Sequence, residues 1–162
     1  MGREIERKFL VTDLSVVPGL PSTPIRQGYL STDPERTVRV RRAGGRAFLT
    51  IKGTATGASR PEYEYEIPAG DADELLDTLA LRPLVEKRRH RWSAPGGLTW
   101  EVDVFEGAND GLVVAEVELP SEDYTVALPP WVGAEVTSDP RYTNANLVAH
   151  PFRDWSPAER RS

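Results

Sequence analysis

The first residues of the chain carry charged side chains at alternating positions. Glu4, Glu6 and Lys8 are each two residues apart, and the apolar Ile5 and Phe9 have the opposite alternation. Because successive side chains of a β-strand point to opposite faces, a strand here would gather the charges on one face. Neighbouring carboxylates repel each other unless a cation compensates them, and hard divalent cations prefer carboxylate ligands. This strand is therefore a candidate wall of a metal site.

Later segments repeat the alternation and keep the two signs on separate strands. The acidic alternations are Glu62 with Glu64, Glu101 with Asp103 and Glu116 with Glu118, and the basic ones involve Arg39, Arg41, Lys52, Lys87, Arg89 and Arg91. The solvated face of an antiparallel sheet would also alternate, but a face that serves solubility should mix the signs within a strand. The alternative is a barrel whose charged face points inward, where unpaired charges are costly and a ligand can complete them.

The residue types on these strands suit a complex of a metal with a polyphosphate. Arg offers a planar fork of donors and Lys a compact positive charge, and both bind phosphate oxygens. Phosphoryl transfer needs mainly positioning and neutralisation of charge by metal ions and cationic side chains. The sequence has no cysteine and two histidines, His90 and His150, which excludes thiolate chemistry and argues against a histidine-rich metal site.

Eight segments rich in β-branched and aromatic residues are bounded by turn-forming residues and predict strands. They cover roughly residues 3–11, 25–31, 36–43, 46–52, 60–67, 84–93, 98–106 and 112–119. Short turns between them favour antiparallel pairing. Helices are expected from Asp71 to about Leu81 and, after a cap at Asp139, from Pro140 to about Ala149. Aromatic side chains opposite the charged faces are expected to pack outside the sheet against these helices: Tyr63, Tyr65, Trp92 and Trp100.

The composition is that of an ordinary globular protein. Of the 162 residues, 39% are hydrophobic and 28% are charged, which suits a single domain over residues 1–162, with a core of about 2–149 and a frayed tail at 156–162. No apolar run approaches the ~20 residues of a membrane span, and the N-terminus lacks an apolar signal core, so a cytoplasmic protein is expected. The net charge of −5 argues against general nucleic-acid binding, which normally needs a basic surface.

In their order along the chain, these motifs resemble the CYTH superfamily, the triphosphate tunnel metalloenzymes, and look closest to its short bacterial members. The first strand carries the ExExK signature of the family as Glu4-Ile5-Glu6-Arg7-Lys8. Other matching motifs are Gln27-Gly28-Tyr29-Leu30, Val38-Arg39-Val40-Arg41, Thr50-Ile51-Lys52-Gly53, Arg60 to Glu64, Lys87-Arg88-Arg89, Trp100-Glu101-Val102-Asp103, Ala115-Glu116-Val117-Glu118, and the tail from Glu135-Val136-Thr137 to Tyr142-Thr143-Asn144. The resemblance spans residues 2 to about 149 and implies a mainly β fold, an eight-stranded antiparallel β-barrel tunnel with a few flanking helices.

The resemblance also implies a role for each charged position. The metal-ligand positions are Glu4, Glu6, Glu116 and Glu118, with Asp103 nearby. The phosphate-binding positions are Lys8, Arg39, Arg41, Lys52, Lys87 and Arg89. Lys8, beside Glu4 and Glu6, is expected to contact substrate or to orient the attacking water, so these three form the catalytic set. Secondary candidates for the site or its mouth are Tyr29, Arg60, Glu62, Glu64 and Arg91.

The implied function is a divalent-metal-dependent triphosphatase that binds one or two ions of Mg²⁺ or Mn²⁺ and a triphosphate-containing small molecule. Inorganic tripolyphosphate, cleaved to diphosphate and phosphate, is the first choice because the chain is short and shows no nucleoside pocket. A nucleoside or thiamine triphosphatase, a class IV type adenylate cyclase, an RNA 5′-triphosphatase and a non-catalytic polyphosphate-binding module are the alternatives. The carboxylates argue against the last, since without a metal they would only repel the ligand. A homodimer through an exposed sheet face is left open.

Overall fold

A computed structural model gives the fold of residues 2–161, and Met1 and Ser162 lie outside the described residues. Within that range the strands are β1 Gly2–Val11, β2 Ser22–Ser31, β3 Thr37–Ala43, β4 Arg46–Lys52, β5 Ser59–Glu66, β6 Val85–Ser93, β7 Thr99–Glu106, β8 Val113–Glu118 and β9 Val132–Glu135. All neighbouring strands are antiparallel. The first eight close into a barrel in the order β5-β4-β3-β2-β6-β7-β8-β1, because β1 also pairs with β5. The predicted eight-stranded antiparallel barrel is therefore confirmed, and β9 is an addition to it.

One edge of β1 is divided between two partners. Its first half pairs with β5, and its second half, around Phe9 and Val11, pairs with β9. The other edge pairs with β8 over residues 6–10. The sequence pattern does not predict β9, because its four residues lack the length and the alternation by which strands are recognised. The strand that carries Glu4, Glu6 and Lys8 is thus hydrogen-bonded along both edges.

Outward-facing side chains of β1 and β7 form an aromatic cluster on one side of the barrel wall. Trp100 is fully buried, and its ring centroid lies 5.5 Å from that of Phe9 and 5.7 Å from that of Trp131. Apolar residues of the 3₁₀ helix Leu14–Gly19 and of residues 126–132 pack on the same cluster. The expectation that Trp100 packs against the predicted α-helices is therefore wrong, because connecting segments cover this face.

Helix α1, Ala69–Thr78, begins before the predicted Asp71 cap and ends before Leu81. Pro68 occupies the N-cap position, and its carbonyl accepts the backbone N–H of residue 72 at 3.1 Å. A proline without a capping side chain is not a recognisable start signal, whereas Asp71 is. The sequence pattern therefore places the helix two or three residues too late.

The face of α1 that contacts the barrel is small and apolar. Ala72 and Leu76 are fully buried in one cluster with Val40 of β3. Tyr63 and Tyr65 of β5 are exposed by 42% and 57%. The expected packing of these two tyrosines against a helix is wrong, because α1 lies over β3 and β4.

The segment from residue 136 to residue 161 closes one end of the barrel. Phe105, which projects into the barrel at that end, belongs to the same buried cluster as Leu147 and Trp155 of the segment. The cluster excludes water from this end, and burial of this kind is worth roughly 1.5–3 kcal/mol for each large apolar side chain. The barrel is therefore a cavity with a floor on this side.

The predicted helix over 140–149 is two shorter pieces. The first is a 3₁₀ helix, Pro140–Tyr142, and the second is α2, Asn146–Ala149. The carboxylate of Asp139 accepts the backbone N–H of Arg141 at 3.1 Å, so the cap is placed as the sequence predicts. The helix does not continue because Thr143 has an extended backbone.

Where a frayed tail is expected, the described residues form the helix α3, Pro157–Arg161. The backbone N–H of Ser156 donates to Glu159 Oε1 at 2.9 Å, and the N–H of Glu159 donates to Ser156 Oγ at 3.2 Å. This reciprocal cap supplies partners for donors that a helix start otherwise leaves open. Of the helices within residues 2–161, none is long and apolar enough to cross a membrane.

Leu147→Ala should lower the free energy of unfolding by about 2–5 kcal/mol, because Leu147 is fully buried in the contact that closes the barrel. Leu79→Ala makes the same chemical change at a residue that is 66% exposed and should cost less than about 0.5 kcal/mol. Urea unfolding measured by tryptophan fluorescence gives both values. Equal losses in the two variants would contradict the docking of the C-terminal segment.

Candidate active site

The inward faces of the barrel strands surround a cavity of about 270 Å³. Most of the predicted site residues line it: Glu4, Glu6, Lys8, Tyr29, Arg39, Arg41, Lys52, Arg60, Glu62, Glu64, Arg89, Glu116 and Glu118. Lys87 and Asp103 lie behind this wall and are fully buried. Arg91 contributes to the rim, where its side chain is 62% exposed and lies 3.5 Å from Glu101. The structure thus gathers the charged alternates of the strands in one enclosed space.

Strand register brings the acidic residues of β1 and β8 together. Glu6 stands opposite Glu118, and Lys8 stands opposite Glu116. Burial alone would raise the pKa of Glu116, but the Lys8 ammonium 3.7 Å away and the nearby Arg89 hold that pKa at about 2. Glu116 is therefore a carboxylate at neutral pH.

Glu4 has its own cation, because Lys52 Nζ donates to Glu4 Oε1 at 2.8 Å. Burial opposes ionisation of Glu4, yet the charge and hydrogen bond of Lys52 bring its pKa below the usual value. The same ammonium lies 3.5 Å from Glu62. Lys52 is thus the cation that Glu4 and Glu62 share. Burial and the Glu4 carboxylate raise the pKa of Glu62.

The side-chain carboxylates of Glu6 and Glu118 make no ion pair or hydrogen bond with any residue from 2 to 161. Burial raises the pKa of Glu6 well above its usual range, and the carboxylates of Glu116 and Glu4 raise it further. Burial and the carboxylates of Glu4 and Glu101 likewise raise the pKa of Glu118. This part of the cavity therefore has more negative charge than its side chains compensate.

A hard divalent cation suits this donor set. Its four carboxylates come from two adjacent strands, Glu4 and Glu6 on β1 and Glu116 and Glu118 on β8, and carboxylate oxygens are the ligands that Mg²⁺ and Mn²⁺ prefer. Among the described residues, no three Asp, Glu or His side chains are yet gathered closely enough to hold a metal ion. Two of the four carboxylates form ion pairs with lysines, Glu4 with Lys52 and Glu116 with Lys8.

The opposite side of the cavity has an excess of positive charge. Asp103 accepts hydrogen bonds from Lys87 Nζ at 2.7 Å and from Arg89 Nε at 2.8 Å and Nη2 at 3.0 Å. Burial alone would raise the pKa of Asp103, but these two cations bring it far below the usual range. Burial, with Arg89 and Arg41 nearby, lowers the pKa of Lys87 to about 7 against the attraction of Asp103. Asp103 was predicted near the metal, but here its oxygens bind the basic residues.

Two arginines of β3 extend this basic surface. Arg41 Nε donates to Gln27 Oε1 at 2.8 Å, and burial, followed by the charges of Arg39 and Arg89, lowers the pKa of Arg41 to about 9. Arg39 Nη2 donates to Thr50 Oγ1 at 3.2 Å, while its buried Nε has no partner among the described residues. Cations that are enclosed and short of counter-charge form an anion-binding site.

The secondary candidates differ in their placement. Both Nε and Nη2 of Arg60 donate to the carbonyl of Gly53, at 3.2 Å and 2.8 Å, so Arg60 holds the loop after β4 at the cavity wall. Glu64 accepts the Thr50 hydroxyl at 2.8 Å and lies 3.7 Å from Arg39. Tyr29 lines the cavity and is only 5% exposed, because it packs in the apolar cluster at the floor. 

Sequence reasoning missed the neutral residues of the site. Gln27 and Thr50 bond the two arginines of β3, and Asn144 joins the cavity wall from the C-terminal segment. Neutral amides and hydroxyls add nothing to a charge pattern. Two features of the sequence could have identified them. Gln27 falls on the inward-facing alternation of β2, and Asn144 belongs to the family motif Tyr142-Thr143-Asn144 near the end of the chain.

A comparison with models of protein families identifies the family to which a barrel with this charged interior belongs. The model of the CYTH domain matches residues 2–152. The chain belongs to the CYTH domain family, which confirms the resemblance inferred from the motifs. CYTH triphosphatases are in general metal-dependent.

Two curated relatives are similar over nearly their whole length. An inorganic triphosphatase of Acetivibrio thermocellus is 48% identical over 155 residues, which cover 96% of this chain and 99% of the relative. An inorganic triphosphatase of Nitrosomonas europaea is 42% identical over 148 residues, covering 90% of this chain and 96% of the relative. A crystal structure of the inorganic triphosphatase NE1496 is 40% identical, with a TM-score of 0.64, and the match covers 90% of this chain and 93% of that one.

Glu6→Gln should stabilise the metal-free protein at about pH 7. Burial and nearby carboxylates raise the pKa of Glu6 in the folded state, so the stability lost to its ionisation grows as the pH rises from the unfolded pKa towards the folded one. The uncharged amide removes this loss. In EDTA, the urea midpoint of the variant should exceed that of the wild type at about pH 7, and the difference should shrink towards about pH 4.

The control is Glu106→Gln, which changes an exposed carboxylate of β7 and should leave the midpoint unchanged at both pH values. If Glu6→Gln gives no gain at the higher pH, the carboxylates are not in electrostatic conflict.

Proposed function

We propose that this protein is a divalent-metal-dependent inorganic triphosphatase that hydrolyses tripolyphosphate to diphosphate and phosphate. The observation that carries the proposal is the division of charge inside one cavity. The carboxylates of Glu6 on β1 and Glu118 on β8 make no ion pair within residues 2–161, and on the other side Arg41 of β3, which also has no carboxylate partner in that range, lies among the basic residues of β3 and β6. A metal–polyphosphate complex is the ligand that supplies both missing charges. The names of the two curated relatives support the same activity.

The basic residues would bind the phosphate chain. Arg39, Arg41 and Arg89 present guanidinium groups to phosphate oxygens, and the ammonium of Lys8 joins them from β1. Burial works against the charge of Lys8, but Glu116 and Glu6 raise its pKa above the usual value. Lys8 therefore stays protonated and can stabilise the negative charge that develops on the transferred phosphoryl group.

The carboxylates Glu4, Glu6, Glu116 and Glu118 would hold Mg²⁺ or Mn²⁺, as one or two ions. When bound, such an ion neutralises phosphate oxygens and lowers the pKa of bound water. If Glu4 binds the metal through Oε1, its hydrogen bond from Lys52 is released, which would free that ammonium for a phosphate oxygen. The metal and phosphate assignments thus support each other.

Water is the simplest nucleophile for the reaction. The hydroxyl of Thr50, which contacts Arg39, is already engaged, because its Oγ1 donates to Glu64 and accepts from Arg39. Attack of a water oxygen on the terminal phosphorus breaks the bond to the bridging oxygen, and diphosphate leaves. Lys8 and the arginines would hold both products in place during this step.

The wider setting of the enzyme is also a proposal. We expect a cytoplasmic protein that acts on a small triphosphate without binding nucleic acid. The exposed face that includes Tyr63, Tyr65 and Ile51 on β4 and β5 is the sheet face on which a homodimer could form. Because one fold can host several activities, substrate choice has to be measured.

The purified protein should release phosphate from tripolyphosphate when Mg²⁺ or Mn²⁺ is present and should be inactive in EDTA. ATP and thiamine triphosphate, assayed in parallel, distinguish the competing triphosphatases, and cyclic AMP with diphosphate as products would indicate a cyclase. Failure of the folded protein to cleave any of the three would exclude a hydrolase. Glu6→Gln should lower kcat/KM by on the order of 100-fold or more, whereas Glu106→Gln should match the wild type.

Arg41→Ala should lower kcat/KM for tripolyphosphate by about 10-fold to 100-fold, mainly through KM, because it removes a charge-assisted hydrogen bond to phosphate. Arg42→Ala is the matched control, since the next residue of β3 points outward and donates to Asp73 at 3.2 Å. Steady-state kinetics at saturating metal compares the two. Equal kinetic constants for both variants would remove Arg41 from the phosphate site.

A further inference from the structure

Asn144 occupies the floor of the cavity and is held there by two donors. Its Oδ1 accepts Lys87 Nζ at 3.0 Å and Gln27 Nε2 at 3.1 Å. Both partners are fully buried, whereas Asn144 itself is only partly buried and lines the cavity. This amide oxygen is thus one of the contacts that hold the C-terminal segment to the barrel wall.

The two donors also fix which way the amide faces. An amide carries an acceptor oxygen and a donor nitrogen on the same plane. Since Lys87 and Gln27 can only donate at these contacts, the oxygen of Asn144 must face them, and the nitrogen must take the other side. Nδ2 of Asn144 has no partner within residues 2–161. A donor on a cavity-lining residue without a protein acceptor is available to a ligand.

The neighbouring groups define the chemistry of that ligand. The carbonyl of Tyr142, two residues earlier in the segment, accepts Lys8 Nζ at 3.0 Å, which brings the ammonium of Lys8 to the same floor. Gln27, which orients Asn144, also accepts Arg41 Nε at 2.8 Å. A donor amide set among basic side chains suits an anion with several acceptor oxygens, and a terminal phosphate is such a group.

We propose that Asn144 is a phosphate-binding residue, which donates from Nδ2 to the terminal phosphate of the substrate at the closed end of the cavity. The inference rests on the proposed function for the identity of the substrate. Gln27 is the positioning residue for this contact, because its amide group links Asn144 to Arg41. The closed floor would then fix one end of the phosphate chain, while the other end extends away from the C-terminal segment.

Binding of tripolyphosphate in EDTA, measured by isothermal titration calorimetry, tests Asn144 without turnover. Asn144→Ala removes the donor and should weaken binding about 10-fold to 100-fold. Asn144→Asp keeps an acceptor for Lys87 and Gln27 but replaces the donor by a negative oxygen, and should weaken binding further. Asn146→Asp places the same charge two residues away on an exposed position and should bind like the wild type.

The proposal requires both Asn144 variants to lose affinity while their thermal midpoints stay close to that of the wild type. Weakening in Asn144→Asp alone would reflect charge, and weakening in Asn144→Ala alone would reflect loss of the link to Lys87, so either result overturns the donor role. Absence of tripolyphosphate binding by the wild type also overturns it. A wild type that binds tripolyphosphate but does not hydrolyse it would overturn the proposed function and leave the assignment of Asn144 standing.

Discussion

Compensation of charge inside a closed barrel is the constraint on which this structure depends. Burial disfavours every ionised group, and only a nearby opposite charge or a set of hydrogen bonds offsets this penalty. Asp103 meets the requirement by accepting from Lys87 and Arg89 with both oxygens. Lys52 meets it for Glu4. These pairs offset the cost of burying their own charges, whereas Glu6 and Arg41 have no such partner within residues 2–161.

The uncompensated groups are separated in space by strand. Glu6 and Glu118 face each other on β1 and β8, whereas Arg41 projects from β3 beside Arg39, which lies 3.7 Å from Glu64. The first pair needs a cation and the second an anion, so a ligand with both features is favoured over either ion alone. Under the proposed function, the ligand would compete with some of the protein's own ion pairs, such as that of Lys52 with Glu4.

The barrel and its charged interior could be predicted from the sequence because two-residue alternation is a strong and local signal. Parity places Glu4, Arg39 and Glu116 on the charged faces of their strands, and all three line the cavity. The ordered motifs added the closed topology, which periodicity cannot give. The pairing of β1 with β5 confirms the closed topology, and the family comparison confirms the resemblance.

What the sequence did not reveal depends on contacts between distant and neutral residues. Strand β9 exists because its backbone pairs with β1, and four residues carry too little pattern to show this. The helix expected from Pro140 is interrupted, and the interruption is what brings the carbonyl of Tyr142 and the amide of Asn144 to the cavity. Parity places Asp103 on the inward face correctly, but it does not reveal that the carboxylate accepts hydrogen bonds from Lys87 and Arg89.

The divided edge of β1 has a consequence for the order of folding. The first half of β1 pairs with β5, its second half pairs with β9, and its other edge pairs with β8. The first strand in the chain therefore finds all its partners in residues that come much later. Contacts between residues so far apart in the sequence form slowly, because the entropy cost of closing the intervening loop is incurred before strand pairing lowers the free energy. During synthesis, the segment with Glu4, Glu6 and Lys8 therefore emerges long before its partners and remains an unpaired, highly charged strand. Charge on an unpaired strand discourages its association with other chains, so the alternation that builds the cavity wall also disfavours mispairing of β1 before the barrel closes.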